Sequence, residues 1–528
     1  MSKKLAFWIA LVLLSLGSAT FAIRNFSKAL PIVSLDLRMD RAQALRSARA
    51  LASRSHWGPE SGFRQAASFG VDDTVQTFVE LEGGGKEAFT QMVKQGLYAA
   101  YTWRVRHFKE GETHETLIRF TPAGEPYGFR ERLKETDPGP SLPEEEARRI
   151  AEQQAAEQWR IDLGAYRPAE SSKEVRPSGR TDHTFVYERV AEKVKAGRYR
   201  LRLVVSGDRL TELTHFLKVP EAFTRRYEEM RSANNAIAFG AVAAVAVLYF
   251  IGACIVGLFL LMRSGWLVWR PPVLWGVGIA LVQALASINE WPLAWMHYDT
   301  ALPGGTFLLQ RVVSTLGELI LNTFMLSLSF MAAESLGRKA FPNHPQLWRL
   351  WSREAASSVA VAGRTAGGYL LTGFEFGYIV GFYFLVSRLF HWWTPSDSLV
   401  EPDILATYVP WLSAVAPSLQ AGLWEESLFR AVPIAGAALL GNRFGNRRVW
   451  IVAALLVEAL VFGSAHANYA SEPPYARLVE LIGPSLIWGI VYLNFGLLPS
   501  VITHFLFDLI LFALPLFTSS APGVRIVA

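Results

Sequence analysis

The chain has 528 residues, 51% of them hydrophobic and only 19% charged, which points to a multi-span membrane protein with room for two or three domains. Its formal charge of +6 comes without a Lys/Arg tract interleaved with aromatics, so a nucleic-acid partner is discounted. The single cysteine, Cys254, excludes an intrachain disulfide framework and a cysteine metal cluster; inside an apolar run it reads as a small buried hydrophobe.

Residues 1–23 open with Lys3-Lys4 and continue as an apolar run from Leu5 to Ile23. That length suits a signal peptide or an uncleaved signal-anchor, and Ala19-Thr20-Phe21-Ala22 is a mediocre cleavage site, so the anchor is favoured. Either way the polar stretch 24–234 is sent across the membrane. A helix is expected from Asp40, a plausible N-cap, through Ala52, followed by strands at Thr74–Leu81, Leu97–His107 and Glu115–Thr121. After Asp137-Pro138-Gly139-Pro140-Ser141 the pattern restarts. A helix is expected from Pro143 to about Trp159, then strands at Thr184–Arg189, Tyr199–Ser206 and Thr211–Val219. Two helix-then-sheet units, about 34–136 and 140–223, resemble in pattern the PepSY-type units of protease propeptides and cell-envelope proteins. His107, His114, His183 and His215 are scattered and read as ordinary surface or strand residues.

From Asn235 onward eight apolar spans are expected, at 235–262, 272–290, 308–334, 366–390, 412–440, 449–466, 478–494 and 498–518. The loops after Met262, Glu334 and Gly441 carry Arg263 and Arg270, then Arg338, Lys339, Arg349, Arg353 and Arg364, then Arg443, Arg447 and Arg448. The alternate loops 291–307 and 391–411 carry no Lys or Arg, and 467–477 has only Arg477. The positive-inside rule, with which Lys3 and Lys4 agree, then puts the arginine-rich loops in the cytoplasm and residues 24–234 outside. The expected fold is a mainly α, polytopic helix bundle (235–518) in the inner, or plasma, membrane, carrying an extracytoplasmic α+β domain. Trp266, Trp269, Trp291, Trp295, Trp392 and Trp393 read as interfacial anchors. The stretch Pro342–Arg364, with Trp348 and Trp351, reads as an amphipathic surface helix or a loop with a helical turn.

Charge sits where the bilayer penalises it, at about 2.5 kcal/mol or more per mid-membrane residue. Glu425 and Glu426 lie near the middle of 412–440. Glu426 and Arg430, four apart, share a helix face and read as a structural ion pair. Glu425 points elsewhere, has no local cation, and suits a general base. His466 ends the next span, where Gly463, Ser464 and Ala465 allow close approach, and His504 and Asp508 share one face of the last span. One Glu, two His and one Asp in neighbouring spans define a candidate site.

Glu425-Glu426-xxx-Arg430, Phe462-xxx-His466 and His504-xxx-Asp508 together resemble, in order, the three-motif signature of the CAAX-protease and bacteriocin-processing family of intramembrane glutamic endopeptidases. The resemblance covers about 100 residues, within a core of about 366–518. It implies peptide-bond hydrolysis by an activated water. Glu425 would be the base, His466 would orient the water, and His504 and Asp508 would line the oxyanion side. Glu426 and Arg430 would hold the site together. Some relatives have asparagine where this chain has Asp508; an ionised Asp cannot donate a hydrogen bond, so Asp508 must be protonated or else orient His504.

His466, His504 and Glu425 also form a donor set of the His2Glu zinc type. No HExxH spacing occurs, and the cofactor-free reading is preferred. The partners implied are a membrane protein or peptide substrate and the lipid bilayer; the oligomeric state is open. A catalytically idle scaffold or immunity protein and a proton-relay transporter are the rival classes, though no repeat relates the halves of the bundle. Arg311 and Glu318 read as a pair inside the bundle, Glu375 and Glu458 as lone carboxylates without a role, and Gly367-Gly368 and Gly373-xxx-Gly377 as marks of close packing. One difficulty stands: His504 is about 10 Å and His466 about 25 Å from the arginine-side ends of their helices. The two meet only if the helices tilt strongly or the 493–498 turn is sunk into the protein.

Overall fold

The computed structural model describes residues 3–29, 35–59, 61–350, 352–396 and 401–525, without the side chains of Lys3, Lys4 and Arg525. Trp351 therefore lies outside the described residues, as do the Lys3 and Lys4 side chains used for topology.

The polar region follows an apolar helix, α1 (Lys3–Ala29), and begins with α2 (Arg41–Ser55), whose N-cap Asp40 accepts from the Gln43 N–H. Then come β1 (Arg64–Val71), α3 (Asp73–Leu81), α4 (Gly85–Lys94), β2 (Tyr101–Phe108), β3 (Glu115–Phe120) and β4 (Pro126–Arg132). The second unit is α5 (Glu144–Trp159), β5 (Tyr166–Val175), β6 (Thr181–Val194), β7 (Gly197–Ser206) and β8 (Arg209–Lys218). All eight strands form one antiparallel sheet in the order β1-β2-β3-β4-β8-β7-β6-β5. The last strands of the two units abut through Phe129↔Leu213 and Arg130↔Glu212, so the units meet tail to tail in a continuous sheet. Both lead helices bury alanines at intervals of four, Ala44, Ala48 and Ala52 in α2 and Ala147, Ala151 and Ala155 in α5. These small residues pack in one core with Phe69, Trp103, Phe120, Phe185 and Leu213.

The expected strand at Thr74–Leu81 is a helix. Asp72 caps it by accepting from the Val75 N–H, and Val75, Phe78 and Val79 bury a helical stripe that outweighs the β-branched composition. The strands β1, β4 and β5 were not expected; β5 is exposed along nearly its whole length and lacks the alternation that marks a half-buried strand. His107 and His183 are buried strand residues, His215 stacks on Tyr127, and His114 pairs with Glu131.

Seven helices among the described residues are long and apolar enough to cross a membrane: α1, α6 (Glu221–Arg263), α7 (Arg270–Asn289), α8 (Gly304–Ala340), α9 (Val359–Leu389) and two later ones. Between α9 and those two runs a continuous helix, α10 (410–444), built of Pro410–Gln420, a π-helical stretch Ala421–Ala431, and Val432–Phe444. The remaining two are α11 (Arg447–Ala465) and α12 (Ala476–Phe495); a shorter apolar helix, α13 (Leu498–Phe512), follows. The last expected span, 498–518, thus stops at Phe512, before a separate short helix with Pro515 in its first turn. The first bundle span is longer than expected, because α6 leaves the sheet domain without a break.

Glycines set the close helix contacts. A Cβ on Gly373 or Gly377 would meet Ser15 or Ser18 of α1, and one on Gly368 would meet Ile502 and the Pro499 carbonyl of α13. Gly367 faces open space. No ion pair joins Arg311 to Glu318: Glu318 is exposed and accepts from Ser314 instead. Trp393 is not an interfacial anchor, since it is buried and donates to Glu80 of α3 at 2.9 Å. The described residues of 342–358 form short helical turns at Leu347–Arg349 and Arg353–Ala356, and Trp348 is buried against Trp275 and Phe330.

The loops divide between two faces. The sheet domain binds residues of the 291–303, 393–396, 401–406, 468–474 and 519–523 segments: Arg106 donates to the Met296 and Tyr298 carbonyls, and Asp403 accepts from the Phe69 N–H. Arg231 of α6 donates to the Asn468 carbonyl, and Gly523 to Asp40. On the opposite face the arginine-bearing loops bind one another, with Arg447 donating to the Ala340 carbonyl and Arg364 to that of Phe495.

Candidate active site

The π-helical stretch of α10 presents Glu425, Glu426 and Arg430 together. Stretches with this wider winding recur at functional sites. Gly422, one turn earlier, allows the close approach to α13: a Cβ there would lie 2.9 Å from the Val501 carbonyl oxygen and 3.0 Å from Phe505 Cβ. That approach carries His504 against both glutamates. Gly463 does the same for α11 and α12, where a Cβ would lie 2.7 Å from the Leu478 carbonyl oxygen.

All six residues singled out in the sequence come together. His504 Nδ1 donates to Glu426 Oε1 at 3.0 Å, and its Nε2 lies 3.5 Å from Asp508 Oδ2 and 3.9 Å from Glu425 Oε2. His466 Nδ1 donates to the Phe462 carbonyl at 2.8 Å. That bond leaves Nε2 as the acceptor of the neutral ring, facing Glu425 Oε2 across 3.8 Å. Glu425 Oε2 is buried and has no hydrogen-bond partner within the protein.

Glu426 and Arg430 have wider connections than a simple pair. The Arg430 Nε lies 3.6 Å from Glu426 Oε2 and 3.8 Å from Glu458 Oε2, and all three side chains are fully buried. Its guanidinium lies 3.9 Å from the Phe462 ring centroid and 5.0 Å from that of Trp488, and donates to Ser485 Oγ at 3.3 Å. Packing against two aromatic rings offsets part of the cost of burying this cation. The expected ion pair is present, but Glu426 also anchors His504.

Two carboxylates without a role in the sequence belong here. Glu458, Phe462 and His466 repeat at intervals of four along α11, a spacing that puts Glu458 on the site face. Glu375 of α9 is 3% exposed and within electrostatic range of His504, Glu480, Glu426 and Arg430. No local motif marks it. Glu480 is held by Arg477 and by the Tyr383 hydroxyl.

The turn joining α12 and α13 is covered only in part: Asn494 and Phe495 are exposed, whereas Leu498, Pro499 and Ser500 are buried. Gly496 is buried, its pro-Cβ position 3.3 Å from Pro345, and His344 Nε2 donates to the Leu493 carbonyl at 3.1 Å. Leu347, Trp348 and Leu350 cover Leu498 and Val501. The arginine-side segment thus packs against the turn, and the first residues of α13, Leu498, Pro499 and Ser500, are buried.

Residues 407–510 match the family model described as Rce1-like, type II CAAX prenyl endopeptidase Rce1-like. The matched segment contains every residue of the three motifs and agrees with the resemblance read from them; α9 and the sheet domain lie outside it. The chain therefore carries a domain of a membrane-protease family in a multi-pass helical framework. No curated protein and no solved structure matches the chain.

Proposed function

We propose that this chain is an intramembrane endopeptidase that hydrolyses a peptide bond of a membrane-associated protein or peptide by water activated at Glu425. The observation that carries the reading is the facing of two acceptors, Glu425 Oε2 and His466 Nε2, across 3.8 Å. One water can donate an O–H to each, which turns its lone pair outward. As its oxygen bonds to the scissile carbonyl carbon, Glu425 takes the proton and the carbonyl becomes an oxyanion. Glu425 then returns that proton to the leaving nitrogen as the C–N bond breaks.

His504, fixed at Nδ1 by Glu426, presents Nε2 towards the reacting region; in its imidazolium form it donates there to the oxyanion. Asp508, 3.5 Å from that nitrogen, serves better as an orienter of His504 than as an oxyanion donor. This favours the second of the two roles open to an aspartate at this position. Glu426, Arg430 and Glu458 form the buried support beneath.

The reaction needs no metal in this reading. The arginine-rich loops face the cytoplasm, and the sheet domain stands outside an inner, or plasma, membrane. Purified protein tests the proposal directly: Glu425→Gln abolishes cleavage while the protein remains folded, and retained cleavage removes Glu425 as the base.

A further inference from the structure

The fully buried members of the cluster lie towards the arginine-rich face and its partly exposed members towards the sheet domain. Its sealed members, Arg430 and Glu458, lie further along their helices towards the arginine-rich loops and are 0% exposed. Its partly exposed members are Glu425, His466 and Asp508, with side chains 19%, 22% and 18% exposed. His466 caps the sheet-domain end of α11, and Asp508 lies one turn from the corresponding end of α13. From Arg447 to His466 the 19-residue helix measures about 28 Å. A polypeptide entering from the arginine face would have to cross that depth of packed bundle, beneath the cover of Leu347, Trp348 and Leu350.

Tyr469 and Arg477 border the partly exposed members on the sheet-domain side. The Tyr469 ring lies parallel to His466, 6.3 Å away, is 40% exposed, and carries the Arg477 guanidinium 5.1 Å from its centroid. Its hydroxyl is within electrostatic range of Asp508, Glu425 and Glu401. The loop bearing Tyr469 is fixed in the frame of the sheet domain. Trp393 and Glu472 exchange two backbone hydrogen bonds of 2.8 Å, and Trp393 donates to Glu80 at 2.9 Å. Asn234 of α6 donates to the Ser471 and Pro474 carbonyls.

We propose that the substrate's scissile segment reaches Glu425 from the sheet-domain side, past Tyr469 and Arg477. The substrate class is then a membrane-associated polypeptide whose cleavable stretch lies at the outer membrane boundary. A tail in the compartment of the arginine-rich loops, where a prenylated C-terminus would be presented, is excluded. The inference rests on the endopeptidase reading for its substrate but not for the direction of access, and the two are tested separately.

The test is labelling of single introduced cysteines by a membrane-impermeant maleimide, in intact cells and in inverted membrane vesicles. Cys254 stays in place, since its thiol is buried and unreactive towards such a reagent. Tyr475→Cys marks the sheet-domain face and Phe444→Cys the arginine-rich face. Asp508→Cys and Tyr469→Cys are expected to label only in the preparation that labels Tyr475→Cys. Labelling of Asp508→Cys from the Phe444 side, or from neither side while Tyr469→Cys reacts, overturns the inference. Tyr469→Cys labelling only with Phe444→Cys also overturns it, including where Asp508→Cys does not fold. No outcome depends on catalysis, so loss of the endopeptidase reading in a cleavage assay leaves this result standing.

Discussion

Glu426 Oε1 accepts from His504 Nδ1 at 3.0 Å, while its second oxygen lies 3.6 Å from the Arg430 guanidinium. The carboxylate that the i,i+4 spacing assigns to the arginine thus also orients a histidine from a helix some 80 residues later. Glu426→Gln keeps an acceptor for Nδ1 but removes the charge. It is expected to lower kcat by about 10²-fold with KM little changed. Glu426→Ala also strips Arg430 of one of its two carboxylates and is expected to cost about 3 kcal/mol or more of stability. Steady-state kinetics together with thermal melts in detergent separate the two effects. A Glu426→Gln enzyme with full kcat would remove the orienting role.

Gly422 is the point where α10 and α13 nearly touch. Gly422→Val is expected to push them apart, destabilise the protein by about 1–3 kcal/mol and reduce cleavage sharply. Gly367→Ala, whose new methyl meets open space, is the control and is expected to leave both unchanged. Equal melting temperatures for Gly422→Val and wild type would show that the contact is not needed.

How far this site was legible in the sequence follows from where each residue lies. Glu425, His466, His504 and Asp508 each interrupt an apolar run, so their burial penalty exposes them without any structure. Glu458 was legible through its spacing from His466, but a lone carboxylate carries no sign of its partner. Glu375 was not: its relation to His504 depends on how α9 packs on α13, which no local spacing encodes. The π-helical winding at 421–431 was likewise hidden, since a helical hydropathy pattern does not distinguish it from ordinary α-helix. In the sheet domain the helix-then-strand pattern that restarts after Asp137–Ser141 was the readable sign of two units, whereas β5, exposed along nearly its whole length, gave no alternation to read.

The sheet domain is expected to weaken in mild acid. Burial, with Arg49 nearby, holds the His107 imidazole down at about 4, and burial, with Arg119 and Arg189, does the same for His215. Gln65 can donate to His107 Nε2 at 2.7 Å only while that nitrogen is unprotonated. Between pH 6.5 and about 4 the unfolded chain binds protons that the folded domain refuses, so stability falls as pH is lowered through that window. The slope is up to about 1.4 kcal/mol per pH unit for each histidine. Denaturant midpoints of the full-length protein followed by tryptophan fluorescence check this. A midpoint unchanged from pH 7 to pH 5 would contradict it.

Metal chelation distinguishes the remaining chemistry at the same atoms. Cleavage is expected to continue unchanged after prolonged treatment with EDTA and 1,10-phenanthroline. Loss of activity restored by Zn²⁺ would instead assign His466, His504 and Glu425 to a metal.

The most direct test of the central claim compares membrane-protein fragments from cells carrying wild-type protein with those carrying Glu425→Gln at equal abundance. Water activation at Glu425 predicts a set of new termini present only with the wild type, and the same set lost in a His466→Ala strain. Identical fragments in wild-type and Glu425→Gln cells would contradict it.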